Sequence, residues 1–384
     1  MTPAPPILPN ATIGILGSGQ LGRMLALEAR RMGYGVRVYS PDRDTPAGQI
    51  ADAETVAAYD DADALRRFAA AVSVVTYEFE NVPSETVSII EQAGVPVRPG
   101  ARVLFVAQNR LREKAFFRSL GIPTAPFAPV TSAADIAPAV AETGLPAVLK
   151  TAGSGYDGKG QRTVRTEDEA RAAFADLGGV ECVLEGFVSF AWEGSVVAAR
   201  GVGGEFRHYG LARNDHANHI LDVTTAPGTN DAALASAAVD ATQRIMDALD
   251  VIGVLCVEFF VTANGGLIAN EMAPRPHNSG HWTQDGAITS QFEQQLRAVC
   301  GLPLGDTAMR CPRAAMANLL GDLWQDGTPD WAALFVRFPD ARLHLYGKRD
   351  ARPGRKMGHI NIGGMDGEDV AARVRAARLC LVGL

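Results

Sequence analysis

The sequence predicts an α/β first domain built on a parallel sheet, followed by an α+β region in which strands pair antiparallel. Two observations carry this. Residues 12–77 alternate strand-like and helix-like patterns in the βαβ manner, which makes successive strands parallel. Further on, two apolar runs flank Asn264-Gly265, a dipeptide suited to a tight hairpin because both positions accept positive φ. At 384 residues, 47% hydrophobic and 21% charged, the chain has an ordinary globular composition with room for two or three domains.

Met1 to Asn10 is Pro-rich, lacks a basic start and an apolar core, and is expected to be a short disordered tail. Thr12-Ile13-Gly14-Ile15-Leu16 reads as a strand, Gly17-Ser18-Gly19-Gln20-Leu21-Gly22 as a turn, and Arg23 to Ala29 as a helix with apolar residues at helical spacing. That order is a βα phosphate-binding unit. Strands at residues 36–39 and 72–77, with an Ala-rich helix around 61–71 between them, continue the sheet, and the domain ends near residue 110. The spacing Gly17-x-Gly19-x-x-Gly22 invites a dinucleotide reading. Where the second strand ends, however, Ser40-Pro41 stands in place of the acid that would hold a ribose, with Asp42 beyond it, which argues against NAD. Two readings stay open: the turn amides bind the phosphate of another ligand, or the glycines only permit close strand-helix packing.

The third strand runs into Thr76-Tyr77-Glu78-Phe79-Glu80, placing carboxylates where open α/β sheets bind ligands; helix capping is the alternative. A helix from Arg110 leads to the Pro-broken connection Gly121 to Pro126. The strand Leu145 to Lys150 then delivers a lysine beside residues 153–160, four glycines in eight positions. Such a loop lets N–H groups approach polyphosphate oxygens, and Lys150 adds a point charge, although no Walker pattern is present. Cys182 to Val188 reads as a strand with an acidic end, Glu185, where backbone groups suit an adenine edge, and Glu193 suits ribose hydroxyls. Taken singly, carboxylates of this kind are more often solvated.

If the hairpin loop is only Asn264-Gly265, then Ala263 faces Gly266, Thr262 faces Leu267 and Glu258 faces Glu271. Like charges across a ladder destabilise a sheet unless something offsets them. Mg2+ is the economical partner, with a nucleotide polyphosphate as its other ligand. The plain alternative is a surface hairpin with two solvated glutamates. The loop that follows, Met272 to Trp282, gathers Arg275, His277, Asn278, Ser279 and His281 beside Glu271.

A net charge of -7 and a pI near 5.6 give no general attraction to nucleic acid or anionic membrane, and basic residues cluster only briefly, as at Arg352 to Lys356. No stretch approaches the roughly 18 apolar residues of a membrane span. Cys182, Cys256, Cys300, Cys311 and Cys380 are odd in number and widely spaced, the pattern of buried free thiols in a cytoplasmic protein.

Lys150, the glycine loop, Glu185 to Val188 and the Glu258/Glu271 pair together resemble an ATP-grasp enzyme. The stretches Gly17 to Met24, Tyr77 to Val82, Gly155 to Gln161, Asn270 to Thr283 and Arg352 to His359 narrow the resemblance to the N5-carboxyaminoimidazole ribonucleotide synthases of purine biosynthesis, from about residue 11 to about 365. The resemblance implies an ATP-grasp fold: a Rossmann-like domain at 1–110, an ATP-grasp domain at 111–305 in two subdomains split near 195, and a small β-rich domain at 306–384. It implies a homodimer acting on ATP, bicarbonate and 5-aminoimidazole ribonucleotide with Mg2+. Carried over by motif, Arg110, Lys150, Gly155, Tyr156, Asp157, Gly158, Lys159, Gly160, Gln161, Glu185, Gly186, Phe187, Val188, Glu193, His216, Asn270 and Glu271 hold ATP, and Glu258 and Glu271 bind the metal. Tyr156, Asp157, Lys159, Arg275, His277 and Lys356 shape the carboxylation pocket. Gln20, Leu21, Glu78, Lys348 and Arg355 place the ribonucleotide.

The chain departs from the pattern at Ala273, where many ATP-grasp enzymes carry Asn, and shows no motif after about residue 365. Rival readings are a formate-dependent ribonucleotide transformylase, a biotin carboxylase, or an NAD-dependent dehydrogenase. The dehydrogenase leaves the glutamate hairpin and the second glycine loop without a role.

Overall fold

The computed structural model describes residues 5–153 and 160–382. Its first sheet holds β1 (Thr12–Leu16), β2 (Gly35–Ser40), β3 (Ala53–Val56) and β4 (Val74–Tyr77), all parallel, in the order β3-β2-β1-β4. One face buries Ile13, Ile15, Val36 and Val38 against the helix Gln20–Arg31; the other packs Tyr39 and Val75 on Phe68 of the helix Ala62–Ala69. Each such side chain removed from water contributes about 1.5–3 kcal/mol, which is why both faces of a parallel sheet read as continuous apolar runs.

A second sheet is antiparallel, with β5 (Phe127–Val130), β6 (Ala147–Thr151), β7 (Gln161–Val164) and β8 (Cys182–Gly186) in the order β5-β8-β6-β7. The third is an eight-stranded antiparallel sheet: β9 (Trp192–Arg200), β10 (Phe206–Ala217), β11 (Ile220–Ala226), β12 (Gly253–Val261), β13 (Leu267–Ala273), β14 (Arg313–Leu320), β15 (Arg342–Leu345) and β16 (Lys356–Gly364). Its order, β13-β12-β9-β10-β11-β14-β16-β15, shows that the C-terminal strands extend this sheet through the β11/β14 pair. The helix Val370–Leu379, in the stretch where no motif was legible, covers their apolar face with Val370, Val374 and Ala377. The helix Gln291–Cys300 seats Phe292, Leu296 and Val299 in the core of the first sheet, while Gln295 Oε1 accepts from Val254 N of β12. The glutamate hairpin is thereby fixed relative to the first domain.

Three expectations change. β3 was not foreseen, because Ala53-Glu54-Thr55-Val56 is a half-buried edge strand with no apolar run. The tail is not free from residue 7 onward: Ile7 N donates to Cys300 O at 2.8 Å, and Tyr34 Oη donates to Ile7 O. The hairpin loop holds three residues rather than two, closed by Thr262 N donating to Gly266 O at 2.9 Å, with Gly265 at φ 79°. Val261 therefore faces Leu267, and Phe259 faces Ala269. A β-bulge at Asn270 then adds one residue to β13, and Glu258 does face Glu271. Of the five thiols, all free, four are buried and Cys311 is half-buried. Among the described residues no helix is long and apolar enough to cross a membrane.

Candidate active site

Beside the hairpin lies a cleft of about 1320 Å³, lined by residues of the second and third sheets and by Gln20, Leu21 and Glu78 to Asn81, which follow β1 and β4 of the first. Its electrostatic centre is the Glu258/Glu271 pair. Burial, and then the charge of Glu271, push Glu258 up to about 8. Burial acts on Glu271 in the same direction, but Arg110, whose Nη1 stands 2.7 Å from Glu271 Oε2, outweighs it and holds the carboxyl at about 2. One member is thus held ionised and the other toward its protonated form, an arrangement in which a divalent cation would bind by displacing a proton. Among the described residues no group of three or more His, Cys, Asp or Glu is arranged to enclose a metal. Two facing carboxylates leave most positions of an octahedral ion to water and phosphate oxygens, which fits Mg2+ carried by a nucleotide.

Next to this pair, Lys150 Nζ at the end of β6 lies 3.1 Å from Glu185 Oε2 of β8, and Lys114 Nζ lies 3.1 Å from the same oxygen. Burial raises the cost of charging Glu185, yet Lys150 and Lys114 keep its carboxyl below the usual range. Burial likewise lowers Lys150 more than Glu185 raises it. Arg110 opens the helix Arg110–Ser119, which Asn109 caps by accepting from Leu111 N and Arg112 N. Arg110 N donates to Ala152 O at 2.8 Å, tying this helix to the start of the glycine loop. Of the backbone donors expected at an adenine edge, Gly186 N and Phe187 N already donate to Pro126 O and Pro146 O.

His216 Nδ1 lies 2.7 Å from Glu193 Oε2; burial opposes its protonation, but Glu193 prevails and raises the imidazole. His277 is held neutral by burial and by Arg275 and Lys356. Ser279 N donates to His277 Nδ1 at 3.3 Å, which leaves Nε2–H facing Glu258 Oε1 at 3.1 Å. Arg275 grips Glu80 with two nitrogens, Nε to Oε2 at 2.5 Å and Nη2 to Oε1 at 3.1 Å.

The glycine turn of the first domain is occupied by a side chain of the protein itself. Glu78 accepts from Gly19 N and, at 2.7 Å, from Gly22 N. An added Cβ on Gly17 would stand 2.4 Å from Glu78 Cγ, and one on Gly19 2.8 Å from Glu78 Oε1. Here the glycine spacing lets a carboxylate, rather than a pyrophosphate, reach a helix N-terminus. This explains the fingerprint without NAD.

Gln20, Leu21, Glu78, Arg110, Lys150, Gln161, Glu185, Gly186, Phe187, Val188, Glu193, His216, Glu258, Asn270, Glu271, Arg275, His277 and Lys356 all line the cleft. Gly160, Lys348 and Arg355 do not. Gly160, at φ 73°, ends the glycine loop, and its carbonyl accepts from Thr151 N. Lys348 Nζ donates to Lys356 O at 2.7 Å, and Arg355 Nη1 to Asp350 O at 2.9 Å. Gly155, Tyr156, Asp157, Gly158 and Lys159 lie outside the described residues.

Three family models match in chain order: the ribonucleotide synthetase preATP-grasp domain at 10–108, the ATP-grasp domain at 115–292, and the phosphoribosylaminoimidazole carboxylase C-terminal domain at 314–373. The N5-carboxyaminoimidazole ribonucleotide synthase of Bacillus subtilis is 44% identical over 355 residues, 92% of each chain. A solved ADP complex of an N5-carboxyaminoimidazole ribonucleotide synthetase superposes with a TM-score of 0.90 at 40% identity, covering 99% of this chain and 98% of that one. The chain belongs to the N5-carboxyaminoimidazole ribonucleotide synthase family of ATP-grasp ligases. A synthase from Aspergillus clavatus, solved with ADP and 5-aminoimidazole ribonucleotide, is 28% identical with a TM-score of 0.87, over 98% of this chain and 99% of that one.

Within this synthase fold, sequence reasoning passed over Glu113 and Lys114. Both are buried, at 2% and 1% exposure, although Arg110-Leu111-Arg112-Glu113-Lys114 reads like a solvated helical face. Only the two apolar residues that follow at helical spacing, Phe116 and Phe117, hint that this end of the helix turns inward.

Proposed function

We propose that the chain carboxylates 5-aminoimidazole ribonucleotide with ATP and bicarbonate, giving N5-carboxyaminoimidazole ribonucleotide, ADP and phosphate. The observation that carries the reading is the facing Glu258/Glu271 pair, with Arg110 and Lys150 beside it, in one cleft with Glu78, Arg275 and Lys356.

In this reading a bicarbonate oxygen attacks the γ-phosphorus of ATP, the bond to ADP breaks, and carboxyphosphate forms. The exocyclic amine then takes the carboxyl group, the carbon–oxygen bond to phosphate breaks, and one amine proton is lost. Arg110, Lys150, Gln161, Glu185, Glu193, His216 and Asn270, with residues 155–160 and 186–188, hold ATP, and Glu258 and Glu271 hold Mg2+. When bound, that ion neutralises charge on the transferring phosphoryl group. Arg275, His277 and Lys356, with Tyr156, Asp157 and Lys159, surround the meeting point of carboxyphosphate and amine, and exclude water from a labile acyl phosphate. Gln20, Leu21, Glu78, Lys348 and Arg355 orient the ribonucleotide. Neutral His277 is a hydrogen-bond donor there rather than a second positive charge. We further propose domain limits near residues 110 and 305 and a homodimer in the cytoplasm.

The test is isotopic. With 18O-labelled bicarbonate, one labelled oxygen should appear in the released phosphate for each ADP formed. Unlabelled phosphate alongside carboxylated product would remove carboxyphosphate from the path.

A further inference from the structure

We propose that Glu113 and Lys114 form a positioning pair that fixes the bulged register of β13, and so sets Glu271 against Glu258 and Glu185 against Lys150. The inference rests on the reading of these carboxylates given above.

β13 is an edge strand of the eight-stranded sheet, and the outward N–H and C=O groups of an edge strand need partners. One short stretch of chain supplies them. Pro123 O accepts from Ala269 N at 2.8 Å, Lys114 Nζ donates to Asn270 O at 3.1 Å, and Glu113 Oε1 accepts from Met272 N at 2.6 Å. Asn270 is the extra residue of the bulge, so the Lys114 and Glu113 side chains grip its carbonyl and the amide two positions on.

That grip decides which face Glu271 occupies. With the same three-residue loop and no bulge, Val261 opposite Leu267 would put Asn270 opposite Glu258 and turn Glu271 to the other face, because side chains alternate along a strand. The carboxylate pair exists only while the bulge is held. Lys114 has a second contact that a simple edge cap would lack: its ammonium shares Glu185 Oε2 with Lys150, each at 3.1 Å. A lysine and a glutamate at 1% and 2% exposure are rarely tolerated without such partners. Glu113 lines the cleft and Lys114 does not; the influence assigned to both on ligands passes through Glu271 and Glu185.

The test uses the full-length protein and ADP as probe, with binding measured by calorimetry across a Mg2+ titration and amide exchange followed at Met272. Glu113→Met and Lys114→Met should each raise the Mg2+ needed for half-maximal ADP binding by about 10–100-fold, while Glu113→Gln, which keeps an accepting oxygen, stays within about threefold of the parent. Exchange at Met272 should quicken in Glu113→Met and not in Glu113→Gln. Combining Lys114→Met with Glu271→Gln should cost less than the product of the two single effects, since Lys114 acts through the carboxylate network. Should Lys114→Met fail to fold, the contrast between the two Glu113 variants decides the matter alone. Parental Mg2+ dependence in Glu113→Met and Lys114→Met, with the loss confined to thermal stability, would overturn the inference and leave the metal reading standing. Absence of Mg2+-linked ADP binding in the parent would overturn both.

Discussion

Glu271→Gln keeps the shape of the hairpin and removes the ionised member of its two facing carboxyl groups. Two effects then oppose each other. In the parent, Glu258 is pushed up to about 8, so at pH 7 it holds a proton that a divalent cation must displace. Displacement one unit below that value costs about 1.4 kcal/mol, which is the most the substitution can recover by relieving Glu258. Against this stands the attraction lost between a unit charge and a dication, about 8 kcal/mol at 4 Å and an effective dielectric of 20, before desolvation is charged against it. If desolvation consumes half, the loss still exceeds the gain by about 2–3 kcal/mol, and each 1.36 kcal/mol is tenfold in rate. ADP release at fixed, subsaturating Mg2+ should therefore fall by about 10²-fold, with the Mg2+ curve displaced upward. A second signature is the pH profile. The parent's Mg2+ requirement should ease as pH rises through about 8, where Glu258 loses its proton unaided, and the variant's should ease at lower pH. Parental turnover at the parental Mg2+ requirement would remove Glu271 from the metal site and refute the reasoning.

Three further outcomes follow from other residues. Glu113 is raised from 4.5 to about 8 by burial and then by Glu271, so the folded state retains a proton that the unfolded chain has released, and stability falls between those pH values by up to about 5 kcal/mol. Glu113→Gln does not titrate, so its deficit in melting temperature relative to the parent should shrink from pH 5 to pH 8.5; a constant deficit contradicts the assignment. Gly19→Ala suits the backbone at φ −81°, but its Cβ would stand 2.8 Å from Glu78 Oε1 and displace that carboxylate from the turn. KM for the ribonucleotide should rise about tenfold, as for one lost charge-assisted hydrogen bond, with ATP affinity near parental; equal losses for both ligands would separate Glu78 from ribonucleotide placement. Asp157→Ala should lower carboxylated product by about 10²–10⁴-fold while ATP binding holds, and a loss explained by ATP affinity alone would leave that loop as a phosphate cradle.

What could be read from the chain tracks how local the physics is. The carboxylate pair was legible because apolar runs on either side of Asn264-Gly265 announce a hairpin, yet the route to it was not: the loop is one residue longer than the dipeptide suggests, and the bulge at Asn270 restores the pairing. Nothing local marks that bulge, since its partners Glu113 and Lys114 lie more than 150 positions away. The glycine turn read equally as an anion site or as close packing, because its occupant, Glu78, comes from the end of another strand and is seen only once β1 and β4 are adjacent. β3 escaped because a half-buried edge strand carries neither an apolar run nor a clean alternation.

The most direct measurement of the central claim is ADP release in the parent protein with bicarbonate, formate or biotin, each with and without 5-aminoimidazole ribonucleotide, scored together with the carboxylated product. ADP should appear at full rate only with bicarbonate and the ribonucleotide together, one ADP for each N5-carboxyaminoimidazole ribonucleotide formed. Full turnover with formate or biotin, or none with bicarbonate and the ribonucleotide, would contradict the account.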